Sequence, residues 1–135
     1  MKFFRLTCLL AVISALPTPL KAQNQQAGSP EQQEKQLMEF IDKEVKRLTD
    51  LLDLEYWQEF YVDSTLNHDY HAMSEELMKM HIAKVENSDL YIGVQDKWMD
   101  QIDVTYRRIF TEAQWKKYWR GGAERAKKAR DKRKK

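Results

Sequence analysis

From Leu54 to His81 the chain contains neither glycine nor proline, while Trp57, Tyr61, Leu66, Tyr70, Met73, Leu77 and Met80 keep helical spacing. An uninterrupted run of this kind predicts one long helix of about 27 residues, with Asp53 as its N-cap. The neighbouring segments obey the same period. Upstream, Leu37, Ile41, Val45, Leu48 and Leu52 step by four, four, three and four, with Phe40 beside them. They predict an amphipathic helix over residues 31–50, opened by the Ser29-Pro30-Glu31-Gln32 capping box with proline at N1. Downstream, residues 85–89 break the pattern and offer Asn87 or Ser88 as a cap. Tyr91, Val94, Trp98, Ile102, Tyr106 and Ile109 then mark a third helix. No stretch alternates apolar and polar residues as a half-buried strand would. The fold class is all-α, with about four helices arranged as a hairpin or bundle around a long central one.

The fourth helix announces itself at Thr111. Thr111 and Gln114 form a second capping box, in which the hydroxyl accepts from Gln114 N and the glutamine amide reaches back to Thr111 N. Phe110 at N′ and Trp115 at N4 are placed as a hydrophobic staple. Gly121-Gly122 marks a weak point or an end of this helix.

The ends of the chain read differently from its body. Residues 1–22 have the basic start, short apolar core and small terminal residue of a cleavable signal peptide, with Ala22 at the cut. The apolar run is shorter than the roughly 20 residues of a membrane span. Cys8, the single cysteine, lies within it, so the exported chain would have no disulfide or thiolate chemistry. Residues 23–30 are polar and turn-rich, as a disordered leader is. A helical domain over 31–120 and a basic tail over 121–135 complete the expected organisation. From Trp115 onward eleven basic residues face only Glu124 and Asp131, whereas residues 23–114 are strongly acidic.

Leu54-Glu55-Tyr56-Trp57-Gln58 and Phe110-Thr111-Glu112-Ala113-Gln114 are two versions of one L-T-x-x-Q frame. Such a pair on an exported helical chain resembles the Spy/CpxP family of periplasmic stress proteins, whose signature is two LTxxQ motifs. The resemblance covers most of residues 52–118. It implies a thin, curved homodimer of long antiparallel helices that holds unfolded clients without ATP or acts in stress signalling. Leu54, Gln58, Phe110, Thr111, Gln114 and Trp115 would then be architectural, pinning helix starts against one another. Two departures stand out. Glu55 replaces the first threonine, leaving the cap to Asp53, and the body is acidic where the family's chaperones present a basic concave surface.

Tyr56, Phe60 and Trp119 fit the apolar stripes poorly and are expected at the surface. With Met73, Met78 and Met80 they would make an adaptable apolar surface for binding unfolded or partner proteins. The same residue types suit a homodimer interface. Arg125, Lys127, Lys128, Arg130, Lys132 and Arg133 suit an anionic membrane or client, or the protein's own acidic body; otherwise they are a solvated helix end. Export and the lack of a reader motif argue against nucleic acid. His68, His71 and Glu75 share a helix face and could ligate a transition metal, but one helix turn makes a loose ligand set, and no cofactor is expected. No nucleophile elbow or phosphate loop is present, which argues against an enzyme. The expected function is an ATP-independent chaperone or envelope-stress binder in the periplasm, or secreted. The alternatives are a structural or adaptor envelope protein with one partner, and a metal-responsive sensor.

Overall fold

The computed structural model describes residues 28–135, all of whose regular elements are helical. The signal-peptide reading and most of the leader lie outside the described residues. Helix α1 spans Pro30–Leu52, α2 Tyr56–Ile82, α3 Ser88–Ile109, α4 Glu112–Tyr118 and α5 Glu124–Arg133; a π turn, Trp119–Ala123, joins the last two. No helix among the described residues is long and apolar enough to cross a membrane.

Local chemistry accounts for each boundary. Ser29 Oγ accepts from Gln32 N at 3.3 Å and Gln32 Oε1 from Ser29 N at 3.0 Å, with Pro30 at the first helical position. Asn87 caps α3, its side chain accepting from Asp89 N at 2.9 Å. Asp53 does not begin α2. It ends α1 in a left-handed conformation (φ 51°, ψ 58°), its N–H donating to Thr49 O, and Glu55 takes the N-cap place. A residue already held in that conformation cannot also adopt the extended backbone that a helix start requires. Between α4 and α5, Gly122 has φ 128°, which only glycine adopts without strain, and the chain kinks there before helix resumes.

Short turns fold neighbouring helices back on one another. The contact of α2 with α3 is the most extensive; α1 packs on α2, and α4 returns to α1. One core lies between them, built from Ile41, Val45, Leu48 and Leu52 of α1, Val62 and Leu66 of α2, Ile102, Tyr106 and Ile109 of α3, and the turn residues Leu54 and Phe110. Each fully buried aliphatic chain in it contributes about 1.5–3 kcal/mol.

The buried face of α2 is turned away from the stripe that its aromatics suggest. Gln58, Val62, Leu66 and Asp69 face inward, whereas Trp57 and Tyr61 are exposed. Residues 58, 62, 66 and 69 are themselves one helical face; of its two polar members, Gln58 finds partners inside and Asp69 pairs with the neighbouring, exposed His68. At the other end of α2, Glu76 ties α2 to α3 by accepting from Lys97 Nζ at 2.5 Å and Trp98 Nε1 at 2.8 Å.

Candidate functional site

The two L-T-x-x-Q-like segments meet. Gln58 and Gln114, each at the third position of its helix, form a reciprocal amide pair. Gln58 Nε2 donates to Gln114 Oε1 at 2.7 Å, and Gln114 Nε2 donates to Gln58 Oε1 at 3.0 Å. Each amide oxygen also accepts from the backbone N–H of its own N-cap, Glu55 at 3.0 Å and Thr111 at 2.9 Å. The second amide hydrogen of each reaches the last carbonyl of a preceding helix: Gln58 donates to Ile109 O at 3.0 Å, and Gln114 to Leu52 O at 3.3 Å. Every donor and acceptor site of both amides is thereby used. Two helix starts are tied to two helix ends in a pseudo-twofold clasp, with Gln58 only 1 % exposed. Orphan groups at four helix termini are satisfied at once.

Thr111 completes its capping box, accepting from Gln114 N at 3.3 Å. The expected staple is indirect. The Phe110 ring lies 4.9 Å from Tyr106 and 5.7 Å from Tyr118, and it is Tyr118 that reaches Trp115 at 5.6 Å. Tyr118 thus sits between the two residues of the staple. Trp115 instead stacks on Trp119 at 5.2 Å and lies beneath the Arg107 guanidinium, and both tryptophans are half-buried. Trp119 is therefore less exposed than its sequence position suggests.

At the start of α2 an aromatic face stands in solvent. Tyr56 is 86 % exposed, Phe60 60 %, Tyr61 53 % and Trp57 48 %. The Phe60–Tyr61 and Trp57–Tyr61 rings meet edge to face at 5.7 and 6.3 Å, so these three form a continuous patch, with Tyr56 beside Phe60 on the trough. Trp57 Nε1 donates to Glu55 at 2.6 Å, which fixes the indole. Tyr56 and Phe60 border an open trough of about 500 Å³ between α1 and α2, together with Asp42, Lys46, Asp50, Glu59 and Asp63. The expected methionines lie elsewhere. Met73 and the exposed Met78 line a second groove, with Leu37, Tyr70, Leu77 and Tyr91, while Met80 is half-buried.

The basic tail is part of the fold. Helix α5 lays Lys127, Arg130, Arg133 and the following Lys134 along Asp96, Asp100 and Asp103 of α3. Arg133 grips Asp96 through two bonds of 2.9 and 2.6 Å. Arg130, 5 % exposed, donates to Asp100 at 2.7 Å and also to Asp103, which accepts from Tyr118 OH at 2.7 Å. Half of the cations expected to meet an external anion, namely Lys127, Arg130 and Arg133, are thus engaged internally. Lys128 pairs with Glu124 at 2.7 Å, while Arg125 and Lys132 form no ion pair among the described residues. The signal was in the sequence: acids at 96, 100 and 103 step by four and three, as bases at 127, 130 and 134 step by three and four. Hydrogen bonds from Arg133 hold the Asp96 carboxyl below the usual range. Burial pushes Asp100 up, but the bonds from Lys134 and Arg130 outweigh it and leave that group low as well. Burial, reinforced by Asp103, pushes the Tyr118 phenol well up.

The histidines have separate duties. His68 Nδ1 lies 2.8 Å from Asp69 Oδ1. His71 faces two acceptors, Asn67 O at 2.6 Å and Glu34 Oε1 at 2.8 Å, and so bridges α2 to α1. The Glu34 hydrogen bond, then the Asn67 carbonyl, raise the His71 pKa above its ordinary value. Among the described residues no three potential ligands gather at metal-binding distance, so Glu75 does not complete a site with these histidines.

No family model matches this chain, and neither the curated proteins nor the solved structures searched contain a match.

Proposed function

We propose that this protein is an exported, periplasmic binding protein of the Spy/CpxP type that holds unfolded or partner proteins without ATP, cofactor or catalysis. The observation that carries this reading is the exposed quartet Tyr56, Trp57, Phe60 and Tyr61, displayed on a helix start that the Gln58–Gln114 clasp holds rigid. Contiguous exposed aromatics on a monomer are a cost to solubility and mark interaction surfaces. Large planar side chains make adaptable contacts with little loss of conformational entropy. The pairing of Glu55-x-x-Gln58 with Thr111-x-x-Gln114 supports the family reading, because it gives the degenerate motif a joint architectural task. In this reading the second apolar groove, with Met73 and Met78, contributes to client contact or to a homodimer seam.

Suppression of aggregation tests the proposal. The protein should protect several unrelated, chemically denatured proteins without added nucleotide. Tyr56→Ser with Phe60→Ser should remove most of that protection while leaving the far-ultraviolet circular dichroism unchanged. Protection of no client would sink the chaperone reading and leave a dedicated adaptor.

A further inference from the structure

We propose that the trough between α1 and α2 selects cationic stretches of unfolded chain with aliphatic or aromatic neighbours. This inference rests on the holding function proposed above and specifies its clients. The apolar wall is Tyr56 and Phe60, continued over the surface by Trp57 and Tyr61. Opposite charges complete the recognition. Asp42, Asp50, Glu59 and Asp63 line the trough, and its single lining cation, Lys46, is already paired with Asp50 at 2.9 Å. Asp42 and Glu59 form no ion pair among the described residues. An ammonium or guanidinium entering here meets uncompensated carboxylates and aromatic rings in one trough, and each of these favours a cation. An acidic segment would meet like charge beside the same rings.

The α3–α5 contact displays the same chemistry within the chain. There Lys127, Arg130, Arg133 and Lys134 seat on three aspartates, with Tyr118 alongside. That seat is filled. The trough sets four carboxylates beside an aromatic wall, and among the described residues only Lys46, on Asp50, pairs with any of them.

Binding of two dye-labelled disordered peptides, one of lysine, leucine and serine and the other with glutamate for each lysine, tests the inference by fluorescence anisotropy. The lysine peptide should bind about tenfold more tightly than its acidic counterpart at low salt, and the difference should shrink as salt screens the charges. The combined variant Asp42→Asn, Glu59→Gln, Asp63→Asn should lose about tenfold in affinity for the lysine peptide at unchanged melting temperature. Tyr56→Ser with Phe60→Ser should weaken both peptides. Equal affinity for the two peptides, or an unaffected triple variant, overturns the inference. So does a solution mass showing that a second copy of the chain covers this face and excludes the peptides. Aggregation suppression without charge preference removes the cationic specificity alone. Charge-selective peptide binding without suppression removes the chaperone reading alone.

Discussion

The glutamine clasp and the α3–α5 seat each hold the C-terminal part of the chain to the rest, by opposite means. The clasp uses two neutral amides at a largely buried junction, where each hydrogen bond fits one partner at one angle. The seat uses several cations against three carboxylates, where Asp100 receives Arg130, Lys127 and Lys134 together. A clasp of neutral groups tolerates salt and pH but not a change of side chain. A charged seat with shared partners tolerates exchange at its rim but responds to solution conditions. Position is fixed by geometry in the first and by charge density in the second.

The largest effect should come from the clasp. Gln58→Ala strands Ile109 O and Glu55 N, takes one of two partners from each polar atom of Gln114, and opens a cavity. The expected loss is about 3–4 kcal/mol, read from urea unfolding. Gln114→Ala should cost a little less, since Gln114 is partly exposed. The double variant should cost less than the sum of the two, because either change alone already removes both bonds between the amides. Additive losses would show that the glutamines act independently.

Next comes the seat. Arg130→Ala leaves Asp103 with Tyr118 alone and should cost about 2–3 kcal/mol, toward the low end for a broken buried pair because Asp100 retains two lysines. The acid response has a definite sign. Asp96 and Asp100 are held below their ordinary pKa in the folded chain. Their contribution is full above the ordinary carboxylate pKa of about 4 and disappears as pH falls through the depressed values. Deleting residues 124–135 should therefore lower the melting temperature at neutral pH and flatten its decline in acid. An unchanged melting temperature would mean that α5 is only loosely seated.

Much of the clasp's local half was legible. Thr111-x-x-Gln114 and Ser29-Pro30-Glu31-Gln32 are short-range signals, since both partners of each box lie within one turn. The resemblance placed Gln58 and Gln114 among residues that pin helix starts against one another, but their direct amide pairing leaves no period in the sequence. Apolar stripe counting failed on α2 for a related reason. The stripe ran through Trp57 and Tyr61, which are exposed, and passed over Gln58 and Asp69, which are buried, as hydropathy alone does whenever a polar group is buried with its partner. Net charge likewise gave the tail its sign but concealed its phase against α3.

A small effect separates local capping from the tertiary clasp. Thr111→Ala removes one hydroxyl acceptor and leaves both glutamine amides in place, so it should cost about 1 kcal/mol. Glu55→Thr, which restores a hydroxyl at the equivalent place, should leave the clasp intact and change stability by less. A Thr111→Ala loss as large as that of Gln114→Ala would mean that the cap and the clasp are one unit.

The clasp also imposes an order in time. Its partners are 56 residues apart in the chain. Joining them costs about 3–4 kcal/mol of loop-closure entropy before any bond is made. The junction of α1 and α2 therefore waits on distant chain: until residues 109–114 fold back, Gln58 can bond only to its own turn and to water. The junction closes only when the fourth helix arrives, so the rate of that late encounter sets how long the carbonyl that ends α1 stays open to water.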